Sequence, residues 1–199
     1  MKYFFSTLIF CFSLFNLFPL WGQGGAKWLR YPSISPDGKT IVFTYKGDLW
    51  KVSATGGAAI PLTLHEAHDF MPVWSKDSKT IAFASDRFGN FDIFTISAEG
   101  GEAKRLTFHS ANEYPYDFSP DNQRVVFGGV RMDVASNRQY PTGSQPELYS
   151  VAIKGGRVQQ LFSTPAEDVK YNRDGSKMVY HDKKGGENTW RKHHTSSIA

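Results

Sequence analysis

Cysteine is nearly absent. Cys11 is the only one in 199 residues, and it sits in an apolar stretch at the start of the chain. The remainder can build no disulfide, so packing alone must hold it together. Strong charge of one sign is also lacking. Lys and Arg number 23 against 19 Asp and Glu, for a net +4, and the basic residues are scattered rather than striped. That pattern gives no case for a nucleic-acid partner. Chemical motifs are missing too: there is no Gly-x-Ser-x-Gly elbow, no phosphate-cradling glycine motif and no paired metal ligands. The chain is therefore expected to carry no catalytic set, no cofactor and no metal.

The apolar stretch runs from Tyr3 to Trp21, behind the single charge of Lys2 and before Gly22-Gln23-Gly24. This pattern reads as a secretory signal over residues 1–23, which makes the protein periplasmic or secreted, with no stable membrane insertion after cleavage. The run is about long enough to span a bilayer, so an uncleaved anchor is the alternative. Asn16, Pro19 and the thin positive flank argue against it, and Cys11 lacks the small preceding residue that lipid attachment needs.

Repetition is what the sequence has in abundance. A turn motif returns as Ser35-Pro36-Asp37-Gly38, Ser75-Lys76-Asp77-Ser78, Ser119-Pro120-Asp121-Asn122 and Asn172-Arg173-Asp174-Gly175. Four residues after each Asp stands an apolar residue (Ile41, Ile81, Val125, Met178), and six after it an aromatic (Phe43, Phe83, Phe127, Tyr180). Small or β-branched residues lie between them (Val42, Ala82, Val126, Val179). Such a strand is expected to be buried on both faces. The turn's serines are turn formers: Pro pre-sets one φ, Gly takes the left-handed position, and Ser can bond a turn N–H.

Three units continue with an acid-led strand: Asp48-Leu49-Trp50, Asp92-Ile93-Phe94 and Glu147-Leu148-Tyr149. Each is followed by a glycine pair (Gly56-Gly57, Gly100-Gly101, Gly155-Gly156) and then by Leu62, Leu106 or Leu161. Glycine supplies the positive φ that a hairpin into a short outer strand needs. A repeat of about forty to fifty residues with four strands is one blade of a β-propeller. The expected fold is all-β, with four-stranded antiparallel blades near 28–64, 68–108, 114–163 and 168–199, within a propeller domain over 24–199. The fourth unit reads as two strands only. About three and a half blades cannot close a ring, so the chain is expected to be a fragment of a longer protein.

The loops between second and third strands vary: four residues in unit one (Thr44 to Gly47), eight in unit two (Ala84 to Phe91) and nineteen in unit three (Gly128 to Pro146). Variable loops on a repeated scaffold are where binding concentrates. With the crossovers they form one rim, which carries Glu66, His68, Asp69, Glu113, Arg131 and Arg138, with Asp133 and Tyr140 nearby. This rim is the candidate contact for a peptide or protein; the plainer alternative is solvated residues that cap strand ends. His65, His68 and Asp69 lack a third metal ligand, adjacent His193 and His194 make a poor chelate, and Asp86-Arg87 reads as a local ion pair.

The stretch from Trp74-Ser75-Lys76-Asp77 through Asp92-Ile93-Phe94 to Arg105-Leu106-Thr107 resembles the TolB-like (WD40-like) propeller repeat. Arg138-Gln139-Tyr140-Pro141 with Pro146-Glu147-Leu148-Tyr149, and Trp190-Arg191-Lys192-His193-His194-Thr195-Ser196-Ser197, are similar to the tricorn-type proteases of the S41 serine peptidases. The resemblance implies an N-terminal, non-catalytic propeller that gates or binds peptides. Its partners would then be the rest of the parent polypeptide, with further blades, a PDZ domain and a catalytic domain. The family's catalytic Ser and His have no counterpart here. The alternative is a periplasmic TolB-like interaction scaffold.

Overall fold

The computed structural model describes residues 28–131, 146–162, 164–172, 174–182 and 197–198. The proposed signal, Asp133, Arg138, Tyr140 and the stretch from Trp190 to Ser196 lie outside the described residues.

The fold is all-β, in four antiparallel sheets. The first holds β1 (Arg30–Ile34), β2 (Thr40–Tyr45), β3 (Asp48–Ser53) and β4 (Ile60–Pro61). The second holds β5 (Asp69–Trp74), β6 (Thr80–Ser85), β7 (Asp92–Ser97) and β8 (Lys104–Arg105). The third holds β9 (Glu113–Phe118), β10 (Arg124–Gly129), β11 (Glu147–Ala152) and β12 (Gln159–Phe162). The fourth holds β13 (Ala166–Tyr171), β14 (Met178–Asp182) and β15 (Ser197–Ile198). In each sheet sequential strands are neighbours.

The turn motif folds alike in all four units. Ser35 Oγ donates to Asp37 Oδ1 at 2.6 Å and accepts from Thr40 N–H at 3.0 Å. Ser75 with Asp77 and Ser119 with Asp121 repeat this at 2.6 and 2.5 Å. In the fourth unit Asn172 Oδ1 accepts from Lys177 N–H in the same role. The left-handed position is held by Gly38 and Gly175, and equally by Ser78 (φ 61°) and Asn122 (φ 58°).

Blades pack face to face, and the strand pattern explains the pairing. Val42 and Leu49 of the first blade meet Trp74, Ile81, Phe83 and Phe94 of the second. Ala82 and Ile93, on the second blade's other face, meet Phe118, Val125, Phe127 and Tyr149 of the third. Tyr116, Val126 and Leu148 of the third then meet Val169, Tyr171, Met178 and Tyr180 of the fourth. In each blade β2, β6 or β10 sends its middle residue forward and its large flanking residues backward. Alternation across a strand places the two sets on opposite faces.

Two expectations need correction, and one repeat position departs from its counterparts. The loop in the first blade is only Lys46-Gly47, because β2 and β3 pair as far as Tyr45 and Asp48. Both loop residues take positive φ (54° and 91°), the condition for a two-residue hairpin. The corresponding loop of the second blade spans 86–91. The fourth unit has a third strand: β15 pairs with β14 through His181↔Ile198 and Asp182↔Ser197. Leu161 does not follow Leu62 and Leu106 into the core. Those two are 8% and 1% exposed, whereas Leu161 is 40% exposed. A bulge in β12 makes Phe162 the backbone partner of Leu148, and a one-residue shift turns Leu161 to the other side.

Candidate functional site on the inner strands and the loop rim

The first strands of the four blades meet one another: β1 contacts β5, β5 contacts β9, and β9 contacts β13. Each also carries a register shift, at Arg30/Ser33 in β1, Phe70/Val73 in β5, opposite Val126/Phe127 in β9, and Glu167/Lys170 in β13. At three of these shifts a residue other than glycine is left-handed: Tyr31 (φ 51°), Met71 (φ 53°) and Asp168 (φ 52°). Pro115 occupies the equivalent place in β9, where its ring forbids that conformation. Left-handed non-glycine residues inside strands cost free energy, on the order of 1–3 kcal/mol each, and concentrate at functional sites.

These bulges face a shared cleft of about 190 Å³, lined by Tyr31, Pro32, Met71, Pro72, Tyr116 and Asp168 among others. At its rim end five rings form one cluster. Phe70 is the hub, with centroids at 5.4 Å from Tyr31, 5.2 Å from His68, 4.7 Å from Phe91 and 5.8 Å from Tyr114. All four contacts are edge-to-face, the geometry favoured by ring quadrupoles. Burial raises the Tyr114 hydroxyl pKa above its ordinary value, and raises that of Tyr116 further. Both stay protonated and neutral at physiological pH.

A polar network joins three blades behind this wall. Lys76 Nζ donates to both oxygens of Asp117 at 2.7 and 2.8 Å. Asp117 also accepts from Tyr171 N–H at 2.9 Å, and Lys170 Nζ bonds the Tyr116 carbonyl. Burial lowers the Lys170 pKa, while the Asp117 charge opposes that shift.

The rim residues singled out from sequence divide into two groups. Asp69 and Glu113 are fully buried. Asp69 pairs with Arg87 at 2.7 Å, and Glu113 with Arg131 at 2.6 Å. Each acid opens the first strand of its blade and each arginine follows the second strand, so the pairs are staples within a blade. One oxygen of each acid, Asp69 Oδ1 and Glu113 Oε2, has no hydrogen-bond partner among the described residues. Arg87 does not pair with Asp86, as the sequence suggested; Asp86 instead accepts from His68 N–H at 2.7 Å. Glu66 and His68 are exposed. His68 belongs to the ring cluster, and His65 Nδ1 accepts from Ala67 N–H at 2.9 Å. Among the described residues no group of three or more His, Cys, Asp or Glu is placed to hold a metal ion.

Sequence reasoning missed the staples, the bulges and the ring cluster. A signal for the staples was present: acid and arginine are separated by the same interval in both pairs, Asp69 to Arg87 and Glu113 to Arg131. A third pair, Asp92 with Arg105 at 2.6 Å, lies within the second blade. The bulges had no such signal, because Tyr, Met and Asp share no propensity that marks them.

The family model described as the tricorn protease N-terminal beta propeller domain matches residues 26–198. No curated protein matches the chain. Among solved structures, a putative TolB from Agrobacterium tumefaciens is 21% identical with a TM-score of 0.66, covering 80% of this chain and 56% of that one. TolB from Acinetobacter baumannii is 20% identical with a TM-score of 0.65, over 80% and 39%. The tricorn protease is 23% identical with a TM-score of 0.63, over 78% and 15%. This chain therefore spans about half the length of the first of these and less of the others. At such identities the likeness establishes the fold.

Proposed function

The chain belongs to the family of tricorn protease N-terminal β-propeller domains, and from that premise we propose that it is the non-catalytic propeller segment of an exported, tricorn-like serine peptidase. In this reading it binds or gates peptides and docks to the remaining domains of a longer polypeptide, outside the cytoplasm. The observation that carries the peptide reading is the inner wall. Bulged first strands, a cleft of about 190 Å³ and a half-buried ring cluster converge on one place. Aromatic rings with a wet edge suit extended peptides, because they offer large contact area at low entropic cost.

Peptide binding to the full chain tests this, read as the fluorescence anisotropy of labelled extended peptides. Phe70→Ala removes the hub of the cluster and is expected to weaken binding by about tenfold or more. Unchanged affinity in a folded variant would overturn the role of the wall. The purified chain is expected to hydrolyse none of these peptides. Turnover that disappears on mutating one of its own residues would contradict the non-catalytic assignment. A second reading, a TolB-like interaction scaffold, is favoured by the likeness to two TolB structures. Coding sequence downstream for further blades, a PDZ domain and a serine-bearing domain would decide for the peptidase.

A further inference from the structure

The outer strands of the first three blades are protected unequally. β4 is Ile60–Pro61, two residues long, and its proline has no N–H for a further strand. β8 is Lys104–Arg105, also two residues, and both carry charge. β12 is Gln159–Phe162, twice as long, with neither charge nor proline. Among the described residues no strand pairs with its other side. Brevity, charge, proline and bulges are means by which sheet edges avoid new partners; β12 lacks the first three and carries only the single bulge at Leu161.

A second, independent feature adjoins that edge. A cleft of about 670 Å³ is lined by His109, Arg131, Tyr149, Arg157, Gln159 and Gln160, with Val158. No carboxylate lies among these residues. Glu147, behind Tyr149, already accepts from Tyr149 O–H and from Gln160 Nε2, both at 2.8 Å. Arg131 is committed to Glu113. Arg157 is exposed, and among the described residues no acid pairs with it. In the second blade the equivalent place is filled. Arg105 opposes Phe94 as Gln160 opposes Tyr149. Its guanidinium lies 4.1 Å from the Phe88 ring centroid and 4.5 Å from that of Phe108, and it bonds Asp92. Gln160 is shorter and neutral, and among the described residues no ring or guanidinium takes the corresponding place in the third blade.

We propose that β12 accepts an extended, acidic peptide segment as a fifth strand of the third blade. The segment's backbone pairs with the Gln159–Phe162 edge. Side chains alternate along an extended chain, so every second one faces the cleft, where an acidic group meets Arg157. This surface is separate from the inner wall, so it stands or falls independently of the peptide reading above.

The test uses the full chain and a labelled peptide of alternating Glu and Val, read by anisotropy. Controls replace Glu by Gln or by Lys, and two more carry N-methyl groups on alternate amides, one in each register. Binding of the Glu peptide is expected. The Gln and Lys peptides should bind on the order of tenfold more weakly or worse, and one methylated register should lose binding. Arg157→Glu should reverse the preference between the Glu and Lys peptides, with circular dichroism confirming its fold. The methylated peptides need no variant, so the test holds even if that variant misfolds. Failure of the Glu peptide to bind, equal affinity for all three charge types, or binding untouched by methylation in both registers would overturn the proposal.

Discussion

The second and third blades have a neighbour on each face, while among the described residues the first and fourth have one neighbour each. The sequence pattern is the same in all four, yet burial is not. Ala82 and Val126 are 0% and 1% exposed, whereas Val179, at the same repeat position, is 52% exposed. Trp74 and Phe118, which precede their turns, are 6% and 0% exposed, whereas Ile34 is 58% exposed. The alternating residues therefore do not bury themselves within a blade. They are buried by the blade beside them, so stability in this fold is a property of interfaces between repeats.

The largest test of that contrast removes one aromatic from each kind of blade. Phe83→Ala is expected to cost about 3–5 kcal/mol, because the ring is fully buried between two blades. Tyr180→Ala, at the same position in the fourth blade, should cost markedly less, because the tyrosine is only half-buried. Urea unfolding followed by blade-resolved hydrogen exchange checks both, since repeats need not unfold as a single unit. Equal losses would break the comparison.

Charge sharpens it. Arg131→Ala leaves Glu113 buried with no counter-charge and should cost roughly 3 kcal/mol. Restoring a neutral pair with Glu113→Gln in the same chain should recover part of that loss. His181 and Asp168 form the terminal blade's pair at 3.0 Å, with side chains 42% and 54% exposed. His181→Ala should cost below about 1 kcal/mol. The two thermal midpoints, compared side by side, report the difference.

A third test adds volume instead of removing it. Gly128 lies in β10 with the Tyr116 ring against its backbone, where any added side chain collides. Gly128→Ala should cost about 1–3 kcal/mol through overpacking. Gly38 has open space around it, but its φ is 73°. Gly38→Ala should therefore pay only the conformational cost, on the order of 1 kcal/mol. Chemical denaturation separates the two.

Much of this was legible before any coordinates. The turn motif and the spacing of Ile81, Ala82 and Phe83 specify strand, facing and repeat, because period-two alternation and turn chemistry are local. The direction in which each face packs was not legible, since nothing inside one repeat says which neighbour it meets. Leu161 shows the limit sharply. Its spacing from the glycine pair matches Leu62 and Leu106, yet a bulge one residue long turns it outward. On the rim, Asp69 and Glu113 carry charge, which suggests exposure, but their arginine partners allow full burial. The cluster around Phe70 comes from three separate blades and exists only in three dimensions.

The smallest expected effect concerns a feature whose main causes lie within each turn. Asp37, Asp77, Asp121 and Asp174 each have a pKa below the ordinary 3.8, chiefly through a serine hydroxyl bond, with backbone N–H groups adding to it. A carboxylate whose pKa is depressed on folding contributes stability above its unfolded pKa and loses it as pH falls through the folded value. The loss therefore begins near pH 4 and completes below it. Asp92 has the opposite sign: desolvation raises its pKa more than Arg105 lowers it. Ionised Asp92 thus costs stability, and acidification relieves that cost. Asp37→Asn in a terminal blade and Asp121→Asn in a flanked one should flatten the acid limb of the stability profile alike. Asp92→Asn should make the acid loss set in earlier, because the compensating group is gone. Unfolding midpoints between pH 7 and 3 measure all three. Neighbouring turns also touch, Asp37 N–H donating to Ser78 Oγ at 3.2 Å and Lys76 N–H to Asn122 Oδ1 at 2.6 Å; a larger change for Asp121→Asn than for Asp37→Asn would mean that these bonds between turns act on the carboxylates too.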